Sequence, residues 1–264
     1  NLYLSLTMIT LLSPAKKLSI ECHAMGYPQT QCSFLDQSRE LVNILKKFGP
    51  IDLQNLMGIS ENLSLLNLER FKSWRLPFST DSARQAIFSF MGDTYVGLDA
   101  GTLTNKGLQF AQDNTRILSG LYGLLRPMDL IMPYRLEMGT KLKTNRGACL
   151  HDFWSTLISK SLNNELVFHE KSILINCASV EYFKAVNTKT LRAKVVTPVF
   201  KEIRNGMPRV ISFFAKRARG AMARYIITNQ INDIDEIISF DLDNYSYNES
   251  LSSRHEPVFT RYSA

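Results

Sequence analysis

The sequence predicts a mixed α/β fold in a single domain. Helical periodicity over residues 34–48 places apolar side chains on one stripe, and residues 172–177 form a continuous apolar run of strand length. No repeat, low-complexity tract or Pro/Ser-rich linker divides the 264 residues. We therefore expect one compact domain over 8–264, with a central mixed sheet that strands from both termini share.

The elements of the N-terminal half follow from apolar spacing and capping residues. They are a buried strand over 8–12 and helices over 34–48, 60–74, from 80 or 81 to 92, and 104–114. Ser60 is a typical N-cap, because its hydroxyl can accept a hydrogen bond from the first turn. Between 116 and 140 any long element is interrupted by Gly120, Gly123, Pro127 and Pro133, so short strands and turns are expected.

The C-terminal half continues the alternation of helix and strand. The pattern predicts a helix over 151–162, a strand over 172–177, a short helix from Ser179, strands near 194–203 and 208–214, a helix over 215–230, and a last strand in 256–262. Asn205 and Gly206 are typical of the turn that joins two hairpin strands.

Composition excludes several classes of protein. Lys and Arg total 31 against 24 Asp and Glu, and the net charge of +7 favours an anionic partner such as nucleic acid, a nucleotide or a membrane surface. The four cysteines form no CxxC pair, so neither a disulfide scaffold nor a structural zinc site is expected. No membrane span is predicted, because no apolar run reaches 18 residues. The thiols are typical of a reducing cytoplasm.

The first residues of the chain require an interpretation of their own. Residues 1–12 are apolar, like the middle of a signal peptide, but no basic segment precedes them and residues 13–17 make a poor cleavage site. Secretion is therefore not predicted. We interpret residues 1–7 as an extension ahead of a natural start at Met8.

The strongest functional signal is the late segment FFAKRARGAMARYII. At about 100° per residue, its cations fall within an arc of roughly 160°, with Gly220 near the centre. These cations are Lys216, Arg217, Arg219 and Arg224. Glycine inside a helix costs about 1 kcal/mol relative to alanine, and an open floor that lets a ligand approach the backbone would explain it. The alternative is helix packing over Gly220, with the arginines in water.

Polar residues also follow two predicted strands. Strand ends are where sites collect in α/β proteins. The candidate catalytic residues there are Ser13, Lys16, Glu181 and Tyr182, and Lys16 and Lys17 are candidate anion contacts. An ordinary turn or helix start is the alternative for each.

The segment SGLYGLLRPMD carries a third candidate. Gly120 and Gly123 with Arg126 close behind could form a hairpin whose amides face a phosphate, or equally a tight structural turn. The four histidines are scattered, and no metal-ligand spacing, Walker loop or dinucleotide fingerprint is present. Neither a metal site nor a cofactor is predicted.

Several blocks in this order resemble the bacterial YaaA family of peroxide-stress proteins. They are LLSPAKKL, SENL with LNLERFKSW, ARQAIFSFMGDTYVGLDA, RILSGLYGLLRPMDLIMPYRLEMGT, NCASVEYFKAV, PVFKE and FFAKRARGAMARYII. The resemblance implies a cytoplasmic protein that limits unincorporated iron and so reduces oxidative damage. It also implies DNA binding at a positively charged cleft with a helix-hairpin-helix-like element, which the Gly120–Gly123 segment fits best.

Three hypotheses follow. In the first, the protein binds DNA phosphates with low sequence specificity. In the second, it is an enzyme that acts on a phosphorylated small molecule or nucleic acid in the same cleft. In the third, it is an interaction or iron-handling module without nucleic acid. The family supplies no catalytic mechanism to transfer onto these residues. Convergence in one narrow pocket would favour catalysis, whereas a broad groove would favour binding.

Overall fold

The computed structural model describes residues 8–19, 28–169 and 171–262. The expectation about residues 1–7 lies outside these ranges, as do Cys22 and His23. The described α-helices are α1 (Leu35–Leu45), α2 (Pro50–Met57), α3 (Glu61–Ser73), α4 (Ala86–Ser89), α5 (Asp93–Leu98), α6 (Asn105–Asn114), α7 (Leu150–Leu166), α8 (Val180–Phe183) and α9 (Ser212–Asn229).

The strands are short and spread along the described ranges. They are β1 (Ile9–Leu12), β2 (Lys17–Leu18), β3 (Arg84–Gln85), β4 (Phe90–Met91), β5 (Thr115–Ser119), β6 (Gly123–Leu125), β7 (Leu130–Ile131), β8 (Ile173–Cys177), β9 (Lys194–Val196), β10 (Val199–Arg204), β11 (Met207–Arg209), β12 (Ser246–Tyr247) and β13 (Val258–Tyr262). The predicted mixed α/β class is confirmed.

A five-stranded mixed sheet forms the centre, in the order β6-β5-β1-β8-β9. Strand β1 pairs in parallel with β5 on one side and β8 on the other, while β6 is antiparallel to β5. All four residues of β1 are buried, as expected for a central parallel strand covered on both faces. The predicted strand over 8–12 and the apolar run over 172–177 are therefore neighbours in the core.

The last strand does not share this sheet, so the prediction that both termini contribute to one sheet is wrong. Strand β13 pairs with β10 and β12 in a second, four-stranded sheet of order β11-β10-β13-β12. Both sides of β1 are already occupied by β5 and β8, and β13 instead buries Phe259 against Phe200 of β10, with ring centroids 5.5 Å apart.

Local capping signals predict several helices well. Ser60 accepts a hydrogen bond from the Leu63 N–H at the start of α3, and Thr104 accepts one from the Gly107 N–H at the start of α6. The helix predicted from 80 or 81 to 92 is wrong for most of its length, since only α4 is helical there. Strands β3 and β4 on either side of α4 pair with β7 and β2, and these long-range pairings override the local pattern.

Helix α9 packs against α5, β1 and β8. It begins at Ser212, earlier than the predicted 215, and the predicted strand over 208–214 ends at Arg209. Within the described ranges, no helix combines the length and apolar character that crossing a bilayer requires. The orientation of α9 decides where its cations lie, and hence where the candidate site is.

Candidate functional site

A cavity of about 550 Å³ lies where β1 and β8 end. The two strands run parallel with Leu12 beside Cys177, so the segments that follow them leave the sheet side by side. The Ser179 N–H donates a hydrogen bond of 2.8 Å to Ser13 Oγ, which joins the two segments. Carboxyl ends of parallel strands are the usual place for a site in such sheets. We call this space the cationic cavity.

The cationic cavity brings together residues from five separate parts of the sequence. Its polar lining residues include Ser13, Lys16, Lys17, Asp93, Glu137, Ser179, Glu181, Tyr182, Lys216 and Arg219. Seven of these are among the site residues predicted from the sequence, and they meet although more than 200 positions separate the first from the last. Asp93 and Glu137 were not predicted, because neither stands in a pattern that distinguishes it from an ordinary surface carboxylate.

Arg219 is the most buried cation of the cavity. Burial lowers the pKa of its guanidinium. Burial also raises the pKa of the neighbouring Cys177 thiol to about 12, against an opposing effect of the Arg219 charge, so this cysteine is a thiol at neutral pH. Among the described residues, neither Lys216 nor Arg219 has a carboxylate at ion-pair distance. Neither cation is therefore ion-paired within the described ranges, although the carboxylates of Asp93, Glu137 and Glu181 line the same cavity.

Glu137 is the best neutralised carboxylate of the cavity. Its Oε2 lies 2.9 Å from Lys16 Nζ, and its Oε1 accepts a hydrogen bond of 3.2 Å from Arg135. The ion pair with Glu137 thus partly neutralises the charge of Lys16. The cations that remain available for an external anion are Lys17, Lys216 and Arg219.

Glu181 and Tyr182 belong to the short helix α8, which the sequence predicted. Ser179 caps it by accepting a hydrogen bond from the Tyr182 N–H. Glu181 is exposed, and its Oε1 accepts a hydrogen bond of 3.0 Å from the Gly139 N–H. Burial, with the nearby Tyr134 and Glu181, raises the pKa of Tyr182 well above its ordinary value. The Tyr182 hydroxyl is consequently protonated at neutral pH and is a hydrogen-bond donor, not a base.

A second cavity of about 700 Å³ adjoins the first, and Glu137 and Glu181 line both. We call it the adjoining cavity. Its other lining residues are Phe48, Asp52, Asn55, Leu56, Met57, Gly139, Thr140 and Lys141. Sequence reasoning missed this wall because it did not predict α2. The signal was present, since Pro50 and Asp52 stand in the first turn of α2 and Gly58 ends the helix in a left-handed conformation.

The expected open floor at Gly220 is wrong. Gly220 is buried against α5, and a Cβ at this position would lie 1.7 Å from the Thr94 carbonyl oxygen. The contact is reciprocal, because a Cβ on Gly97 of α5 would lie 2.0 Å from the Arg217 carbonyl oxygen. The glycine therefore permits close helix packing, which was the alternative interpretation, and offers no surface to a ligand.

Two of the predicted cations are directed away from the cavity. Arg217 forms an ion pair with Asp243 at 3.1 Å. Arg224 donates hydrogen bonds to the carbonyl oxygens of Leu98 (3.1 Å) and Asp99 (2.8 Å) at the end of α5. The expectation that all four cations of α9 form one face is therefore wrong, and only Lys216 and Arg219 line the cavity.

The predicted phosphate hairpin at Gly120 and Gly123 is also wrong. Gly120 lies in the buried turn that joins the antiparallel strands β5 and β6, and Gly123 begins β6. Strands, and not helices, therefore flank this turn. A Cβ on Gly120 would lie 2.1 Å from the Leu136 carbonyl oxygen, and one on Gly123 would lie 2.6 Å from the ring of Trp154.

Arg126, which follows this hairpin, is held by its own protein. It pairs with the buried Asp129 at 3.1 Å and donates a hydrogen bond of 3.0 Å to the Gln31 carbonyl oxygen. Arg126 therefore stabilises a structural turn, which was the alternative interpretation of this segment.

Comparisons with known proteins identify the family. The family model described as peroxide stress protein YaaA matches residues 8–251. The chain belongs to the peroxide stress protein YaaA family. UPF0246 proteins of Hahella chejuensis and Shewanella putrefaciens are 50% and 49% identical to it over 254 residues, which cover 96% of this chain and 99% of each relative. A UPF0246 protein of Colwellia psychrerythraea is 48% identical over the same length.

The YaaA-family match includes every residue that lines the two cavities. The resemblance predicted from the sequence blocks is thus confirmed over nearly the whole chain. The family description supports a role in peroxide stress.

Proposed function

We propose that this protein acts in the cytoplasmic response to peroxide by binding phosphate groups of DNA in the cationic cavity. The observation that carries the proposal is the convergence of Lys17, Lys216 and Arg219 on one cavity, where none of the three has an ion-pair partner among the described residues. A guanidinium withdrawn from water without an anion is costly, and a phosphate supplies the missing charge through short, charge-assisted hydrogen bonds.

Contacts of this kind would give little sequence specificity, because phosphates carry no base information. In this proposal the lower level of unincorporated iron and the reduced oxidative damage are consequences of DNA binding. The family description supports the peroxide role, and the net charge of +7 favours an anionic partner.

The test compares two arginines of the same helix. We expect Arg219→Gln to weaken binding of a fluorescein-labelled oligonucleotide by about 10-fold or more, since one charge-assisted phosphate contact contributes about 1.5–3 kcal/mol. The slope of log affinity against log salt should fall by about one unit. Arg217→Gln is the matched control and should change affinity by less than about 2-fold. Equal effects of the two variants, or binding that does not depend on salt, would contradict the proposal.

A second candidate function is an enzyme that acts on a phosphorylated small molecule or nucleic acid. It is favoured by the convergence of Ser13, Lys16, Glu181 and Tyr182 on one cavity instead of a broad open face. Glu181 is the exposed carboxylate of the cavity. Its Oε1 accepts the Gly139 N–H, and its Oε2 has no hydrogen-bond partner in the part of the chain that the structure describes.

This candidate is tested by Glu181→Gln, since glutamine keeps an oxygen that can accept the Gly139 hydrogen bond. Loss of complementation in a peroxide-sensitive deletion strain, with DNA affinity unchanged, would support catalysis. Glu69→Gln on the exposed face of α3 is the control. Full complementation by the folded Glu181→Gln protein would argue against a catalytic role for this residue.

A further inference from the structure

The adjoining cavity has no role in the function proposed above, although it shares a wall with the cationic cavity. Glu137 and Glu181 line both spaces. A ligand whose phosphate is held by Lys216 and Arg219 would therefore extend past these two residues into the second space. Its volume of about 700 Å³ lies within the range of small-molecule sites.

The lining of the adjoining cavity combines apolar and hydrogen-bonding groups. Phe48, Leu56 and Met57 supply half-buried apolar surface. Phe48 has no aromatic ring partner among the described residues, in contrast to Trp154, which contacts the rings of both Phe34 and Phe153. An aromatic ring of this kind can stack on the flat face of a heterocycle, and such stacking does not depend on which base is present.

Hydrogen-bonding groups stand on the same face of α2 as Leu56. Asn55 is exposed and forms no hydrogen bond to another described residue. Asp52 accepts the Gly49 N–H through Oδ2, which leaves its other oxygen available. Amide and carboxylate side chains are the groups that pair with the donor and acceptor edges of nucleobases.

We propose that the adjoining cavity receives the heterocyclic ring of a nucleoside monophosphate unit whose phosphate is bound at Lys216 and Arg219. The proposal rests on the proposed function, because the phosphate contact is the same. It adds that the ligand class is a nucleotide with an unstacked base, either as a free nucleotide or as part of a single strand. A phosphate alone leaves the adjoining cavity unfilled.

The experiment has one arm for each source of the nucleotide. In the first arm, calorimetry compares dAMP and dTMP with 2-deoxyribose 5-phosphate. In the second arm, fluorescence anisotropy compares a single-stranded oligonucleotide with an oligonucleotide of the same length that lacks its bases. We expect the ligand with bases to bind about 10-fold tighter in at least one arm. That arm identifies the source.

Two variants separate stacking from general effects. Phe48→Leu retains apolar volume in the wall and should remove most of the difference between ligands with and without a base. Asn55→Ala changes an exposed residue, so the variant should fold as the wild type does. It should weaken the binding of ligands with bases by a few fold and leave the binding of the other ligands unchanged. Phe213→Leu is the matched control, since Phe213 is exposed on α9 and lines neither cavity.

The outcomes distinguish this inference from the function on which it rests. Equal affinity for ligands with and without bases in both arms, still lost in Arg219→Gln, would overturn the ring site and leave phosphate binding intact. A base preference that survives in Phe48→Leu and Asn55→Ala would also overturn it. Failure of every phosphate ligand to bind would overturn both proposals.

Discussion

The cations of α9 fall into two groups with opposite surroundings. Lys216 and Arg219 line the cationic cavity and have no carboxylate partner among the described residues. Arg217 and Arg224 lie on the other side of the helix contact and are held by Asp243 and by the end of α5. Four basic residues within nine positions of one helix thus have two different roles.

The division follows from the packing of α5 on the middle of the cationic arc. At about 100° per residue, Arg219 and Arg217 lie roughly 160° apart around the helix, with Gly220 between them. Because α5 contacts Gly220, it separates the arc into a side that faces the cavity and a side that faces Asp243. The role of each basic residue on such a helical face therefore depends on which element packs against the centre of that face.

The largest expected effect concerns the contact that makes this division. Gly220→Ala would place a methyl group 1.7 Å from the Thr94 carbonyl oxygen, so we expect a loss of about 3 kcal/mol in the free energy of unfolding. Gly101→Ala is the control, because a Cβ there has open space, and it should change stability by less than about 0.5 kcal/mol. Urea unfolding measures both. Equal stability of the two variants would mean that α5 does not close the glycine face.

Arg224 should contribute more to stability than to binding. Its guanidinium satisfies the Leu98 and Asp99 carbonyl oxygens at the end of α5, where a cation also interacts favourably with the helix dipole. Arg224→Ala should lower the free energy of unfolding by about 1–2 kcal/mol. The same variant, measured by anisotropy below its unfolding transition, should bind DNA nearly as the wild type does. A large loss of affinity with no loss of stability would reverse the assignment of the two groups.

Inorganic phosphate should stabilise the protein through Arg219. At a phosphate concentration ten times the dissociation constant, linkage predicts about 1.4 kcal/mol of added stability. Arg219→Gln should lose most of this increment, whereas Arg217→Gln should retain it. Unfolding curves with and without phosphate at constant ionic strength provide the measurement. An increment that is the same in all three proteins would place the anion elsewhere.

The smallest effect is expected for the surface pair of Arg217 and Asp243. The Arg217 side chain is 46% exposed and that of Asp243 is 28% exposed, and such pairs contribute about 0–1 kcal/mol. Arg217→Ala should therefore lower stability by less than about 1 kcal/mol, and less so in high salt. A double-mutant cycle with Asp243→Ala isolates the interaction energy of the pair. A coupling energy above about 2 kcal/mol would contradict the assignment of Arg217 to a weak surface ion pair.

Local signals predicted the parts of the fold that depend on local chemistry. Ser60 and Ser179 begin helices because their hydroxyls cap them, and the apolar run over 172–177 is a buried strand because it suits a sheet covered on both faces. The strand pairing of the C-terminus with β10 was not predictable, since it depends on which sheet edges other segments leave open.

The sequence predicted several residues of the site, but not how they are arranged in space. Strand-end reasoning found Ser13 and Glu181, and the helical arc found Arg219, and all three line one cavity. The same arc also selected Arg217, because periodicity gives angles around a helix but not the neighbours that occupy them. Gly120 was misinterpreted for the same reason, since a glycine that admits a ligand and one that admits the Leu136 backbone have the same sequence signal.

The most direct test of this account is an NMR titration that observes the arginine Nε–Hε resonances. Resonances of Arg219, Arg217 and Arg224 are assigned through their Gln variants, and inorganic phosphate is then added at constant ionic strength. The account predicts that the Arg219 resonance shifts in a saturable manner while those of Arg217 and Arg224 stay in place. Saturable shifts of Arg217 or Arg224 with an unchanged Arg219 would contradict it.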